Sequence, residues 1–299
     1  MKLMLCGDWH IDNTRPERRI DDYWKTVQDK ISFILRLAKE NDCLILQPGD
    51  FFNSHRTNDF LKRYVIMTLK ALDLKVLTVF GQHDLRYHSS DVKNTPLGVL
   101  QASGVVVVLG FDPVTFWDFS VYGASWYEDI PKIEDIHVNN ILVIHRMIIK
   151  NSKLWDGQED ATFGNILLKT SGYRLIVSGD NHNHFTISTK ANRHLVNCGS
   201  LLRTKIDQVD HTPLVYIYDT DDQTITPHEV PHEPFDKVFN MEKYNEEKKE
   251  DEKLNAFVDR LDGDVELEGL DFIKNMDSYV AAQKDLDETT LGIIEEVMA

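Results

Sequence analysis

The feature that most constrains this sequence is a set of short apolar segments, each followed by side chains that can bind metal. The segments lie at residues 2–6, 43–47, 75–80, 139–145 and 173–179. Residues 21–42 and 58–73, which separate the first three segments, carry apolar side chains at helical spacing. Because strands that alternate with helices pair in parallel through crossover helices, the sequence predicts an α/β fold.

The side chains that follow these segments are carboxylates, carboxamides and imidazoles. They belong to GDWH (7–10), GD (49–50), GQHD (81–84), His145 and DNHNH (180–184). The carboxyl ends of parallel strands form the edge at which α/β sheets bind ligands. Residues two apart in an extended segment point the same way, so Asp8 and His10 can face one ion, as can His182 and His184.

This ligand set contains no sulfur, so it suits manganese, iron, zinc or magnesium. Asp50 would supply a carboxylate able to bridge two ions. Two ions about 3.5–4 Å apart activate a water and hold both oxygens of a phosphoryl displacement. The pattern therefore predicts a dinuclear metal site that hydrolyses phosphoesters.

Further short apolar segments are joined by brief turns and read as hairpins and meanders. They lie at residues 105–110, 119–125, 185–190, 194–200, 213–219 and 224–230. A second sheet packed on the first, with helices on the outer faces, gives a four-layer α/β/β/α sandwich. Near residue 232 the composition changes to charged helical patterns. We therefore expect a main domain over 1–232 and an acidic helical region over 233–299.

The order of the motifs resembles that of the calcineurin-type metallophosphoesterases. Residues 1–230 carry D-x-H, GD, a G-x-H-D segment, a lone histidine and H-x-H in the family's order. GDWHID, GDFFNSHRT, GQHDLRY and NCGSLLR look most like the SbcD-type nucleases, which repair DNA ends in bacteria and their phages. The superfamily's protein phosphatases would show GDxVDRG at the second motif, where this chain has GDFFNSH.

The resemblance implies a role for each motif residue. Two ions would be held by three ligands each and by a shared carboxylate: Asp8, His10 and His184 for the first ion, Gln82, His145 and His182 for the second, and Asp50 between them. His83 would lie over the scissile phosphate and protonate or stabilise the departing oxygen. Asp84 would orient His83 through a hydrogen bond.

The chain departs from the family's pattern at two places. Gln82 stands where the family has Asn, and its longer side chain can shift the second ion or weaken its binding. The family usually has Gly directly before the first histidine of H-x-H, whereas this chain has Asn181 there. The segment GDNHNH is therefore two residues longer than the family's Gly-His-x-His segment. Asp180 would then either accept a hydrogen bond behind the ligands or reposition the loop.

The resemblance also implies the activity and the partners. We expect a DNA nuclease, an exonuclease with or without endonuclease activity, in DNA end processing, recombination or repair. Manganese would be the effective metal, with magnesium as the alternative. The chain would form a homodimer and act with an SbcC-type coiled-coil ATPase, which the helices over about 240–299 would help to dock. The location would be the cytoplasm of a bacterial or phage-infected cell.

Several arginines are candidates for contact with DNA phosphates because they follow the motifs closely: Arg15, Arg18, Arg19, Arg56 and Arg86. The other interpretation of the first three is a solvated loop ahead of a helix. Trp9, which lies between two predicted ligands, is expected to pack beneath the metals rather than to stack on a base.

Charge and composition limit the alternatives. Residues 236–299 carry 19 acidic and 8 basic side chains, which accounts for most of the net charge of −16. So acidic a chain fits a system in which the partner supplies much of the grip on DNA. The 3 cysteines lack CxxC spacing, which argues against a disulfide framework. No apolar run reaches the roughly 18 residues of a membrane span, so we expect no membrane association.

Two other functions remain open. A small-molecule or cyclic-nucleotide phosphodiesterase on the same fold would need no ATPase, and it would have a closed pocket over the metals rather than an open cleft. A non-catalytic scaffold would retain the fold while Gln82 weakened the second metal. The presence of His83 and Asp84 argues against the scaffold, because a scaffold needs no acid at the phosphate.

Overall fold

A computed structural model describes residues 1–85, 92–133, 139–150, 152–153, 158, 161–205, 208–242 and 249. The chain divides into two units, Met1–Phe239 and Asn240–Ala299. The predicted division at residue 232 and the helical character of 233–299 stay predictions, because most of the second unit lies outside the described residues. Within the described residues, no helix has the length and apolar character that a membrane crossing requires.

The helices of the described chain are mostly short. They are α1 (Tyr23–Glu40), α2 (Asp59–Leu72), α3 (Pro96–Ala102), α4 (Gly164–Thr170) and α5 (Phe235–Val238), with a 3₁₀ turn at Val92–Asn94. The Asp22 side chain accepts a hydrogen bond from the backbone N–H of Lys25 and so begins α1. Asn58 does the same for α2 through the N–H of Leu61. Both helices lie within the ranges that the sequence predicts.

The first sheet has the order β14-β13-β1-β2-β3-β4. Its strands are β1 (Lys2–Leu5), β2 (Cys43–Gln47), β3 (Val76–Thr78), β4 (Val106–Val108), β13 (Leu214–Asp219) and β14 (Ile225–Glu229). The first four pair in parallel, whereas β13 pairs antiparallel with β1 and places Lys2 opposite Asp219. Three segments expected in the second sheet, at 105–110, 213–219 and 224–230, therefore belong to the first. Their apolar pattern shows that they are strands but does not specify a partner.

The second sheet has the order β11-β12-β10-β7-β6-β5. Its strands are β5 (Val114–Thr115), β6 (Phe119–Ala124), β7 (Asn139–His145), β10 (Leu175–Gly179), β11 (Phe185–Ser188) and β12 (His194–Asn197). A small parallel pair joins β8 (Ile148–Ile149) and β9 (Thr162–Phe163). The strands β6, β7, β10 and β12 are parallel. The ligand-bearing segments 139–145 and 173–179 thus lie in this sheet and not in the first.

Three apolar layers hold these elements together. One packs α1, α2 and α3 against the first sheet and includes Met4 and Ile45. The second lies between the sheets and includes Leu3 and Val143, and the third packs α4 against the outer face of the second sheet. Successive side chains of β1 enter different layers because a strand alternates its faces. The predicted four-layer α/β/β/α sandwich is confirmed.

The carboxyl ends of the two sheets meet at one edge of the sandwich. Gly7, two residues after the end of β1, lies against Gly199, which follows β12, and a Cβ at Gly7 would overlap the Gly199 carbonyl oxygen. Backbone atoms cannot yield as a flexible side chain can. The two sheets are therefore in backbone contact just beside Asp8, which forms an isolated β-bridge with Ser200.

We expect Gly7→Ala to lower the free energy of unfolding by at least about 1–3 kcal/mol, because the added methyl must displace backbone. Gly110→Ala is the matched control, since a Cβ there has no heavy atom within 4 Å. Urea denaturation of both variants measures the effect. Equal stability of the two variants would contradict this close approach of the sheets.

Candidate metal centre

Both sheets deliver polar side chains to their shared edge. Asp8 and His10 follow β1, Asp50 follows β2, and His145 ends β7. Asp8 and His145 are fully buried, and His10 and Asp50 are 5% and 1% exposed. Burial of this many ionisable groups costs free energy unless each finds a compensating charge or ligand.

One group of potential ligands surrounds His10. Its Nε2 atom lies 3.2 Å from Nε2 of His182 and 3.7 Å from Oδ2 of Asp50. Nε2 of His182 lies 3.6 Å from Oδ2 of Asp8. Asp8, His10 and His182 thus offer three ligand atoms within 4.8 Å of one another.

The Asp50 carboxylate lies between this group and a second set of side chains. Its Oδ2 atom is 3.6 Å from Nε2 of His145 and 4.0 Å from Nε2 of His83. Together with the approach of His10, these distances place one oxygen in reach of three imidazoles. That is the position expected of a bridging carboxylate.

Atoms that lack hydrogen-bond partners converge on this space. They are Oδ1 of Asp8, Oδ2 of Asp50 and Nε2 of His145, all of them buried. Buried polar atoms in proteins nearly always have a partner, so three such orphans together call for ions. The donor set of carboxylate oxygen and imidazole nitrogen fits divalent cations of the manganese, zinc or magnesium type.

The orientation of His145 favours coordination through Nε2. Its Nδ1 atom lies 2.7 Å from the Pro48 carbonyl oxygen, which can only accept, so Nδ1 carries the proton. Burial opposes a charge on His145, but Asp50 and Asp8 outweigh it and raise the pKa of its ring to about 9. Cations at the centre would displace the second proton, because a ligating imidazole must be neutral.

His10 has the opposite electrostatic balance. Burial lowers the pKa of His10 to about 3, even though Asp50 acts to raise it. The ring is therefore neutral at physiological pH and keeps a lone pair for a ligand.

Unusual backbone conformations aim these side chains. His10, Asp50 and Asp180 have φ values of 45°, 49° and 79°, in the left-handed region that residues other than Gly rarely adopt. Such conformations cost on the order of 1–3 kcal/mol and concentrate at functional sites. The N–H groups of Trp9 and His10 donate to the Asp50 carbonyl at 3.1 and 2.9 Å, which ties the first two turns together.

Glycines give the carboxylates room. A Cβ at Gly81 would overlap Oδ1 of Asp50, and one at Gly179 would overlap Oδ1 of Asp8. Gly81 begins GQHD and leaves room for Asp50 of the second motif. Gly179 precedes DNHNH and leaves room for Asp8 of the first motif. This explains in physical terms why polar strand ends and glycines occur together.

The structure places the two histidines of H-x-H differently from the sequence prediction. His182 was expected at the second ion but lies beside Asp8 and His10, the ligands of the first. His184, expected at the first ion, is exposed and has its ring centroid 6.0 Å from that of His211. Like His145 and Asp180, it lies outside the two ligand clusters found among the described residues. The turn at Asp180 breaks the extended run on which the prediction depended.

Gln82 lies in a cavity of about 500 Å³ at the same edge. The cavity is lined by Gln82, Trp126, Tyr127, His145, Arg146, Met147, Thr162 and Asp180. The sequence prediction does not include Trp126, Tyr127 or Arg146. The position of Arg146 directly after a predicted ligand is the sequence signal for it. The aromatic pair lies in a loop after β6 and carries no motif.

Asp84 and His83 do not form the hydrogen bond that the family resemblance implies. The Asp84 carboxylate accepts hydrogen bonds from the backbone N–H groups of Phe51, Phe52 and Gly81 at 3.0–3.2 Å. Nδ1 of His83 lies 2.9 Å from the Asn53 carbonyl oxygen, which therefore orients the ring. Asp84 positions His83 only indirectly, by joining the loops after β2 and β3.

The arginines predicted to contact the substrate differ in their burial and contacts. Arg19 is buried, its guanidinium binds Asp21 and the Arg203 carbonyl, and it packs over Tyr23. It is a structural residue, and the expectation of a DNA contact there is wrong. The same loop contacts the end of α5, where the Ile20 N–H donates to the Val238 carbonyl oxygen at 2.9 Å.

Arg15 and Arg56 are exposed and Arg18 is partly buried, so their predicted contacts with DNA stay predictions. Arg86 lies outside the described residues. Trp9 is 1% exposed and packs on Phe51 with ring centroids 4.8 Å apart. The expectation that Trp9 packs beneath the metal centre is confirmed.

Comparison with known protein families agrees with this geometry. A family described as calcineurin-like phosphoesterase matches residues 1–184. These residues, more than half of the chain, include every candidate ligand described above. No curated protein shows a significant match to the chain.

We expect Asp84→Asn and His83→Ala to affect different properties. The amide would direct an N–H₂ group at a backbone donor, so Asp84→Asn should lower the free energy of unfolding by about 1–3 kcal/mol. His83 has 41% of its side chain exposed, so His83→Ala should change stability by no more than about 0.5 kcal/mol while abolishing most turnover. Thermal unfolding and phosphodiester hydrolysis separate the two effects. A strongly destabilised His83→Ala would contradict these roles.

Proposed function

The chain belongs to the calcineurin-like phosphoesterase family, and we propose that it is a dinuclear-metal-dependent nuclease that hydrolyses phosphodiester bonds in DNA. Membership of the family makes it a hydrolase of phosphoester bonds, and the buried ligand atoms fit its two divalent ions. The proposal that the phosphoester is DNA depends on the side chains that surround the metal centre.

The observation that carries this step is a pair of aromatic side chains beside the candidate ligands. Trp126 and Tyr127 line the same cavity as Gln82 and His145, with their ring centroids 3.9 Å apart. Tyr127 is 80% exposed and has a φ of 67°, a strained conformation for a bulky residue. Exposed aromatic rings stack on nucleobases irrespective of sequence, at about 1–3 kcal/mol per base.

A cation completes this surface. Arg146 lines the cavity, and its Nη2 donates to the Glu128 carbonyl oxygen at 2.6 Å, which holds the guanidinium in place. A fixed guanidinium is well suited to a phosphate oxygen. The cavity thus combines a charge for the backbone, rings for a base and ligands for the ions that act on phosphate.

The catalytic chemistry divides between the ions and the protein. When bound, two divalent cations would activate the attacking water and neutralise charge on the phosphoryl group. His83 is exposed toward solvent and lies 4.0 Å from the Asp50 carboxylate, where it can protonate the departing oxygen. Its hydrogen bond to Asn53 keeps the ring directed at the site.

Accessibility favours a polymer over a small ester. His83 and His182 have 41% and 27% of their side chains exposed, so the described part of the centre opens to solvent. A small-molecule or cyclic-nucleotide phosphodiesterase would enclose its substrate, and no observation favours it here. The position of His83 beside Asp50 likewise gives no support to a non-catalytic scaffold.

The biological setting follows from the sequence resemblance to the SbcD-type nucleases. We propose manganese as the effective metal, a homodimer as the working unit, and an SbcC-type ATPase as partner in DNA end processing, recombination or repair. The net charge of −16 supports a division of labour in which the partner holds most of the DNA.

The aromatic pair Trp126 and Tyr127 leads to a prediction about DNA binding. Replacing both Trp126 and Tyr127 by Ala should raise KM for single-stranded or linear duplex DNA about tenfold or more, because a stacking surface is lost. Hydrolysis of bis(p-nitrophenyl) phosphate, which reaches the ions without a base, should change little. Trp117→Ala is the matched control, since Trp117 is fully exposed and lies outside the cavity. Equal loss on both substrates would contradict a role in DNA binding.

The C-terminal unit yields a second prediction. A protein that ends at Phe239 should retain phosphodiester hydrolysis but lose co-purification with its SbcC-type ATPase. Thermal unfolding of the shortened protein controls for damage to the first unit. Full binding of the ATPase without residues 240–299 would rule out docking through that unit.

A further inference from the structure

The first ion position has more candidate ligands than the second. Asp8, His10 and His182 come together with Asp50 at the first position. At the second position, Gln82 and His145 share the cavity. His182 lies with Asp8 and His10 in the first group, and His184 is exposed. The second ion therefore needs another ligand.

Asp180 is the residue in the right place. It lines the cavity with Gln82 and His145. Its backbone N–H donates to Oδ2 of Asp8 at 3.0 Å, so the residue begins directly beside a ligand of the first ion. A φ of 79° turns the chain at this point, where β10 has just ended.

Gly179, the residue before Asp180, shows how close the end of β10 lies to the metal ligands. A Cβ at Gly179 would overlap Oδ1 of Asp8 and lie 2.9 Å from Nδ1 of His145. The strand thus runs between these two ligands before Asp180 leaves it.

We propose that Asp180 is a direct ligand of the second metal ion, together with Gln82, His145 and the bridging Asp50, and that His182 rather than His184 completes the first site. The pair two residues apart that serves both ions is then Asp180 and His182. The proposal depends on the dinuclear centre and is independent of whether DNA is the substrate.

The exchange of an imidazole for a carboxylate has a chemical consequence. The second site would hold carboxylate and carboxamide oxygens with a single nitrogen, and oxygen-rich sites favour manganese or magnesium over zinc. Asp8, Asp50 and Asp180 would bring three negative charges to balance the four positive charges of two divalent cations.

The main competing explanation is that Asp180 only shapes the turn. Its backbone hydrogen bond to Asp8 and its φ would then matter, and its side chain would not. Asp180→Asn separates the two explanations, since Asn adopts the left-handed region readily and keeps the N–H but lacks the anionic oxygen.

The test is metal binding by the full-length protein, measured by calorimetry with Mn²⁺ and by the exchange-coupled EPR signal of a manganese pair. The wild-type protein should bind two ions. Asp180→Asn and Asp180→Ala should weaken the second ion at least about tenfold and abolish the coupled signal, with the first ion retained. Asp180→His should restore two ions and shift preference toward Zn²⁺.

Variants of the two histidines complete the design. His182→Ala should weaken the first ion, and His184→Ala should bind two ions as the wild-type protein does. Thermal unfolding of each apo variant checks that the fold is intact. Two ions of wild-type affinity in Asp180→Asn and Asp180→Ala, or loss of an ion in His184→Ala, would overturn the assignment. Failure of DNA cleavage alone would count against the proposed substrate and leave the ligand assignment untouched.

Discussion

The structure depends on an electrostatic constraint at the edge where the two sheets meet. Asp8 and Asp50 arrive from the first sheet and His145 from the second, all essentially buried. Each has an atom without a hydrogen-bond partner that faces the others. A fold cannot keep such groups together at low cost unless cations bind between them. The sandwich thus positions carboxylate and imidazole side chains where divalent cations can bind between them.

The details around this centre follow from that constraint. Glycines at 81 and 179 leave room for carboxylates of neighbouring motifs, and residues in the left-handed region aim the ligands. Asp84 joins two loops through three backbone N–H groups, and Asn53 orients His83. The motifs are therefore interdependent, because each supplies either a ligand or the space and support for the ligand of another.

Much of this could be predicted from the sequence. Apolar segments that end in Asp and His indicate parallel strands with ligands at their carboxyl ends, and Asp8, His10, Asp50 and His145 lie together as that pattern requires. The alternation of residues in β1 between two apolar layers also follows from strand periodicity. These predictions succeed because they depend on local geometry that the sequence encodes directly.

The rest depended on tertiary structure. DNHNH offers several candidate ligands at similar spacing, and only the turn at Asp180 decides which of them face the centre. Arg19 is buried because Asp21 and Phe239 enclose it, which its position after a motif does not indicate. The sheet assignment of β13 and the placement of Trp126 and Tyr127 beside Gln82 likewise arise from long-range packing.

Anomalous diffraction at the manganese absorption edge, from crystals of the full-length protein grown with Mn²⁺, tests the central claim most directly. We expect two peaks about 3.5–4 Å apart, both within coordination distance of Oδ2 of Asp50. One peak should contact Asp8, His10 and His182, and the other His145. A single peak at this edge, or two peaks that do not share Asp50, would contradict a dinuclear centre.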